Sequence, residues 1–205
     1  MRLDESLAHI RKTGQHVMRT ADVMALLDIN KDHASHVLGR LAKSGHVARL
    51  KRGVWLISEA RDPFLLAEYL TAPFPAYISL HTALYHHGMV SQMPAAVYCM
   101  SPARSRVYET PLGRYSVHHV AESFFFGYEP VGNTPAKMAS PEKALLDVFY
   151  LSGTKTRLFA ALPEVDVGGG FDLANAKHML ARIRSKQRRT LVENQLCHLL
   201  AQPAH

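Results

Sequence analysis

Ser140-Pro141-Glu142-Lys143 fits the pattern S-x-x-K. On a helix this spacing sets a serine hydroxyl one turn from a lysine amine, an arrangement that arms a nucleophile in acyl-transfer enzymes. Such a site needs S-D-N and K-T-G elements downstream. S-D-N is absent, and the only K-T-G is Lys12-Thr13-Gly14, far upstream. The same residues read completely as the start of a helix. Serine is a preferred N-cap, and Pro141 falls at the first helical position, where its missing N–H costs nothing. Glu142 suits the positive end of the helix dipole. Lys143 and Asp147, at i and i+4, are expected to pair on the exposed side, above a buried stripe of Ala144, Leu145, Val148 and Phe149. The expectation is a helix cap and no catalytic residue.

The thirteen histidines raise a second chemistry, metal binding. His81, His86 and His87 share one predicted helix, and His33 and His36 lie three apart on another. His118 and His119 are neighbours on a predicted strand, so they point to opposite faces. HExxH and CxxC are both absent, so no metal site is expected, and no cofactor either. No P-loop, dinucleotide fingerprint or nucleophile elbow occurs, and Gly168–Gly170 reads as a loop. A nuclease would need a D…E-x-K cluster, but Glu142 and Lys143 are adjacent.

Charge is more informative. The chain of 205 residues carries a formal charge of +7, which favours a polyanionic partner. Residues 1–61 hold eleven Lys/Arg against six Asp/Glu, so most of the excess sits in under a third of the chain. Cys99 and Cys197 are too few for a disulfide framework and suit a reducing cytoplasm. No apolar run reaches membrane-spanning length, and the charged start does not read as a signal peptide, so no membrane partner is expected.

The elements that must position these charges read as two domains, residues 1–61 and 62–205, divided near "SEARDP". "LDESLAHIRKTG" reads as a helix with Asp4 as cap and Gly14 as stop, and "TADVMALLDI" as a second capped by Thr20. Asn30 caps a third, in which Ala34, Val37, Leu38 and Leu41 recur at i, i+3, i+4 and i+7 and form its buried stripe. Two β-rich runs, Val47–Leu50 and Val54–Ile57, then flank Lys51-Arg52-Gly53, a hairpin turn with Gly53 left-handed. Three helices followed by a basic-tipped hairpin give a winged helix-turn-helix. Its recognition helix would present Lys31, His33, Ser35, His36, Arg40 and Lys43 to the major groove, with Asp32 at its N-terminus. Arg49, Lys51 and Arg52 of the hairpin would reach phosphates or a minor groove.

The remainder reads as a mixed α/β domain, making the whole chain α+β. Helices are predicted over "DPFLLAEYLT", over "SLHTALYHHG" between the cap Ser79 and Gly88, and over 141–151. Two more are expected around Leu173–Ser185 and Arg189–Ala201. Strands are predicted at Ala96–Met100, Arg106–Thr110 and Arg114–Val120, with Phe124–Tyr128 and Thr134–Ala139 as further candidates. Phe124-Phe125-Phe126 fits a core strand or a partner surface. The segment 177–189 carries Lys177, Arg182, Arg184, Lys186, Arg188 and Arg189 with no acidic residue. It fits a solvated face, a second nucleic-acid contact or a dock for an acidic protein.

"YISLHTALYHHGM" (77–89) and "ASPEKALLDVFYLSG" (139–153), lying beyond a predicted winged helix, resemble the AbiEi-type antitoxins. These are transcriptional regulators of type IV toxin–antitoxin operons. The resemblance implies a repressor that binds inverted repeats in its own promoter, with Ser35, His36, Arg40, Lys51 and Arg52 inheriting the DNA role. It also implies a C-terminal domain that counters a nucleotidyltransferase-like toxin without a stable complex. It transfers no catalytic role to Ser140. Alternatives are a stand-alone regulator, or a protein-interaction module that inhibits a partner enzyme.

Overall fold

The computed structural model describes residues 2–57, 63–153, 164–168 and 170–201. The class is α+β, with eight α-helices and two sheets among those residues.

Three helices open the chain: α1 (Leu3–Lys12), α2 (Thr20–Leu27) and α3 (Lys31–Lys43). Arg2, not Asp4, holds the N-cap position of α1, and Arg19, not Thr20, that of α2. The carboxylates of Glu5 and Asp22 reach back to the Arg2 and Arg19 amides, at 2.9 and 2.7 Å. Thr20 Oγ1 instead accepts from Trp55 Nε1 at 3.0 Å. On α3 the expected cap is present, because Asn30 Oδ1 accepts from the His33 amide at 2.9 Å. Ala34, Val37, Leu38 and Leu41 are its buried face.

Between α1 and α2 runs a short strand that the apolar pattern does not announce, β1 (Val17–Arg19). It joins β2 (Ala48–Lys51) and β3 (Val54–Leu56) in an antiparallel sheet of order β1-β3-β2. Gly53, at φ +76°, makes the β2–β3 turn that an L side chain would strain. All three residues of β3 are buried, because both faces of this sheet are covered. Met18 and Trp55 pack on α1–α3. Val17, Leu50, Val54 and Leu56 pack on Leu66, Leu70 and Tyr115 from beyond residue 62.

A 3₁₀ turn over Pro63–Leu65 leads into α4 (Leu66–Thr71). Next comes a six-stranded mixed sheet of order β6-β7-β5-β4-β9-β8. Its strands are β4 (Tyr77–Ile78), β5 (Val97–Ser101), β6 (Arg106–Thr110), β7 (Gly113–His119), β8 (Tyr128–Pro130) and β9 (Lys137–Ala139). β4–β9 and β5–β7 pair parallel, the others antiparallel. Of the strand expected at Phe124–Tyr128, Phe124 ends a 3₁₀ turn (Glu122–Phe124) and enters the core. Residues 125–127 form no strand, and only Tyr128 belongs to one, β8. The strand expected at Thr134–Ala139 shrinks to β9.

The remaining helices are α5 (Leu80–His86), α6 (Pro141–Ser152), α7 (Leu173–Ala181) and α8 (Lys186–Leu200). α6 packs against α5, α7 and α8, so Glu142 through Leu151 are buried on every side. Lys143 and Asp147 therefore do pair, but in the core and not on the exposed side expected. No helix among the described residues is long and apolar enough to cross a membrane.

Candidate nucleic-acid interface

α3 separates its residues cleanly. Ala34, Leu38 and Leu41 are fully buried, while Lys31, Asp32, His33, Ser35, His36, Arg40 and Lys43 are exposed. Ser35 Oγ donates to the Lys31 carbonyl at 2.8 Å, so its hydroxyl is turned back on the helix. The exposed face thus offers two lysines, an arginine and two imidazoles along one 13-residue helix.

The β2–β3 hairpin divides its cations. Arg52 is exposed, and Arg49 lies 5.9 Å over the Trp55 ring. Lys51 is partly buried against α4. Its ammonium donates to the Leu70 and Ala72 carbonyls at 2.9 and 3.3 Å, closing the C-terminal end of α4. Burial holds its pKa below the usual lysine range, and the charges of Arg19 and Arg106 push it further down. Neither arginine stands out by sequence spacing. The one available signal is that Arg19 directly precedes a helix.

The segment 177–189 is also divided. The Arg182 guanidinium lies 3.5 Å over the Phe126 ring and that of Arg188 4.5 Å over Tyr150. Arg189 donates twice to the Ile183 carbonyl, at 3.1 and 2.9 Å, fastening the α7–α8 turn. Lys177, Arg184 and Lys186 are exposed. Half of this basic run therefore helps to hold the fold together.

The S-x-x-K residues are arranged as a cap. Ser140 Oγ accepts from the Lys143 amide at 3.3 Å and donates to Glu142 Oε2 at 2.7 Å. Glu142 Oε1 accepts from the Asp172 amide at 3.0 Å, and Asp172 caps α7. The Lys143 ammonium is bonded to Asp147 and to Tyr77 Oη, the latter at 2.8 Å, so it is not bonded to the serine. Asp147 also accepts from Tyr77 and Ser79 hydroxyls at 2.9 and 2.7 Å, so Ser79 stands at the start of α5 without capping it.

His118 is buried and bonded to Ser116 at 2.9 Å, while His119 is exposed and meets the Pro102 and Ala103 carbonyls. His87 Nε2 meets the Ala139 carbonyl at 2.8 Å. No group of three or more His, Cys, Asp or Glu placed to hold a metal occurs among the described residues.

A cleft of about 880 Å³ runs along the seam between the small sheet and the rest of the chain. His16 and Arg19 wall one side, and Glu68, Phe74 and Lys137 the other, with Glu68 and Lys137 neutralising each other at 2.7 Å. Lys31, Arg40 and Lys43 of α3 and Arg52 of the hairpin turn are exposed cations. Against known proteins, no family model matches the chain and no curated protein matches it.

Proposed function

We propose that the chain is a sequence-specific DNA-binding transcriptional repressor. Residues 1–61 would act as a winged helix-turn-helix, with α2 and α3 as the paired helices and β2–β3 as the wing. The observation that carries this reading is the two-sidedness of α3. Its apolar stripe is buried, and Lys31, His33, His36, Arg40 and Lys43 project from the other faces. An α-helix of this kind fits the major groove, where Arg40 would read guanine or grip phosphate and His36 would reach base edges. The Ser35 hydroxyl, already bonded to Lys31, contributes less than the sequence suggests.

Fluorescence anisotropy of the full chain on a duplex from its own upstream region tests the reading. With about six cations on phosphate, affinity falls about 10³-fold between 50 and 200 mM salt. A flat salt dependence overturns it and favours a protein-interaction module. The blocks 77–89 and 139–153 support an extension through their resemblance to AbiEi-type antitoxins. The chain would repress its own operon and counter a nucleotidyltransferase-like toxin encoded alongside. Rescue of toxin-expressing cells by the full chain tests that part, and its failure leaves a stand-alone regulator.

A further inference from the structure

Arg19 and Lys51 are the Cα partners of Val54 on its two sides, so the three form a row across the small sheet. Val54 packs toward Leu66, Leu70 and Tyr115, so this row lies on the face toward the second part of the chain. The Thr20 amide donates to the Gly53 carbonyl at 2.9 Å, which brings the start of α2 onto the turn that carries Arg52. β2 also packs against β6, an edge strand of the large sheet whose first residue is the exposed Arg106. Four cations from three elements and both parts of the chain therefore gather around the hairpin turn.

Two nearby acids make other contacts, although Asp22 keeps its charge beside Arg19. The Asp22 carboxylate takes the Arg19 amide, and Glu109 pairs with Arg114 at 2.7 Å. None of the three ion pairs among the described residues includes Arg19, Lys51, Arg52 or Arg106. Lys51 is satisfied by two carbonyls, not by a carboxylate. Like charges held together outside any ion pair cost stability, and an arriving phosphate reduces that cost.

We propose that Arg106 grips a backbone phosphate of the bound duplex together with Arg19 and Arg52, so that both parts of the chain build the DNA-contacting surface. This rests on the DNA-binding reading above. Lys51 serves as the strut that fixes the hairpin turn against α4, and the three arginines supply the grip. Arginine suits this because its planar fork meets phosphate oxygens in pairs.

The test uses the full chain and a labelled 30-bp duplex of random sequence, because non-specific binding reports phosphate contacts. Arg106→Ala and Arg106→Gln should each flatten the slope of log K against log salt by about 0.9, the share of one phosphate. Arg106→Lys should keep the wild-type slope. Arg114→Ala, whose charge Glu109 already matches, should leave it unchanged. If Arg52→Ala flattens the slope and the Arg106 variants do not, this inference is overturned and the DNA-binding reading stands. An equal effect of Arg114→Ala also overturns it, because net charge alone would then explain the loss. If the wild-type chain shows no salt-dependent binding, the reading beneath it falls as well.

Discussion

Lys143 and Asp147 stand one turn apart on α6 with both side chains wholly buried, bonded to each other and to Tyr77. The ammonium also lies 3.9 Å over the Phe124 ring. Burial pushes the lysine down and the aspartate up, and each opposes the other's shift. Removing one partner strands the other in the core. Lys143→Met should cost about 3 kcal/mol and Asp147→Ala closer to 5 kcal/mol, since Asp147 also accepts from Tyr77 and Ser79. Urea unfolding measures both, and a loss below about 1 kcal/mol for either would show the pair to be dispensable.

At the hairpin turn, adjacent cations should separate by kind of effect. Lys51→Met removes the donor to the Leu70 and Ala72 carbonyls and should lower stability by about 1 kcal/mol, discounted for its partial exposure. Arg52→Ala should leave stability within about 0.5 kcal/mol and instead weaken DNA binding, as expected for an exposed position. Paired melts and anisotropy titrations decide, and the reverse pattern would make Lys51 the phosphate contact.

Ser140→Ala should lose about 1 kcal/mol, the usual worth of a serine N-cap. The loss should exceed that of Ser185→Ala on α8. Both serines cap a first turn, but Ser140 also donates to Glu142, which holds the start of α7. Equal losses, read from urea midpoints, would mean that the Ser140–Glu142–Asp172 chain adds nothing.

Stability should fall on acidification well above the carboxylate range. Burial, reinforced by His81, lowers His118 to about 4, against about 6.5 in an unfolded chain. A depressed histidine favours the fold only while neutral. Its contribution is complete above pH 6.5 and is lost as pH falls toward 4, and burial moves His81 in the same direction. Between pH 7 and pH 5 the loss should be about 2 kcal/mol. His118→Asn should lower overall stability yet flatten this pH dependence. A variant with the wild-type slope would place the titration elsewhere.

What sequence reading captured was local. Asn30, Gly53 and Ser140 do as expected, because caps and turns depend on residues within a few positions. It failed where the outcome depends on distant chain. The i, i+4 rule placed Lys143 and Asp147 at a surface, yet α5, α7 and α8 leave α6 none. A signal was present, since Ala144–Leu146 and Val148–Leu151 are apolar almost all round, the mark of a central helix. Lys51 looks like any basic hairpin tip until α4 arrives, fifteen or more residues later. The three phenylalanines expected on one strand all pack on the core without forming one, Phe124 fully buried and Phe125 and Phe126 partly so.

Because Val54, Trp55 and Leu56 are buried from both sides, the small sheet belongs equally to α1–α3 on one face and to α4 and β7 on the other. The Lys51 ammonium, donating to the Leu70 and Ala72 carbonyls, is a further tie across the seam. A protease nick between residues 57 and 63 should therefore yield two fragments that elute together. Neither could be borrowed as an interchangeable cassette without taking part of its neighbour along.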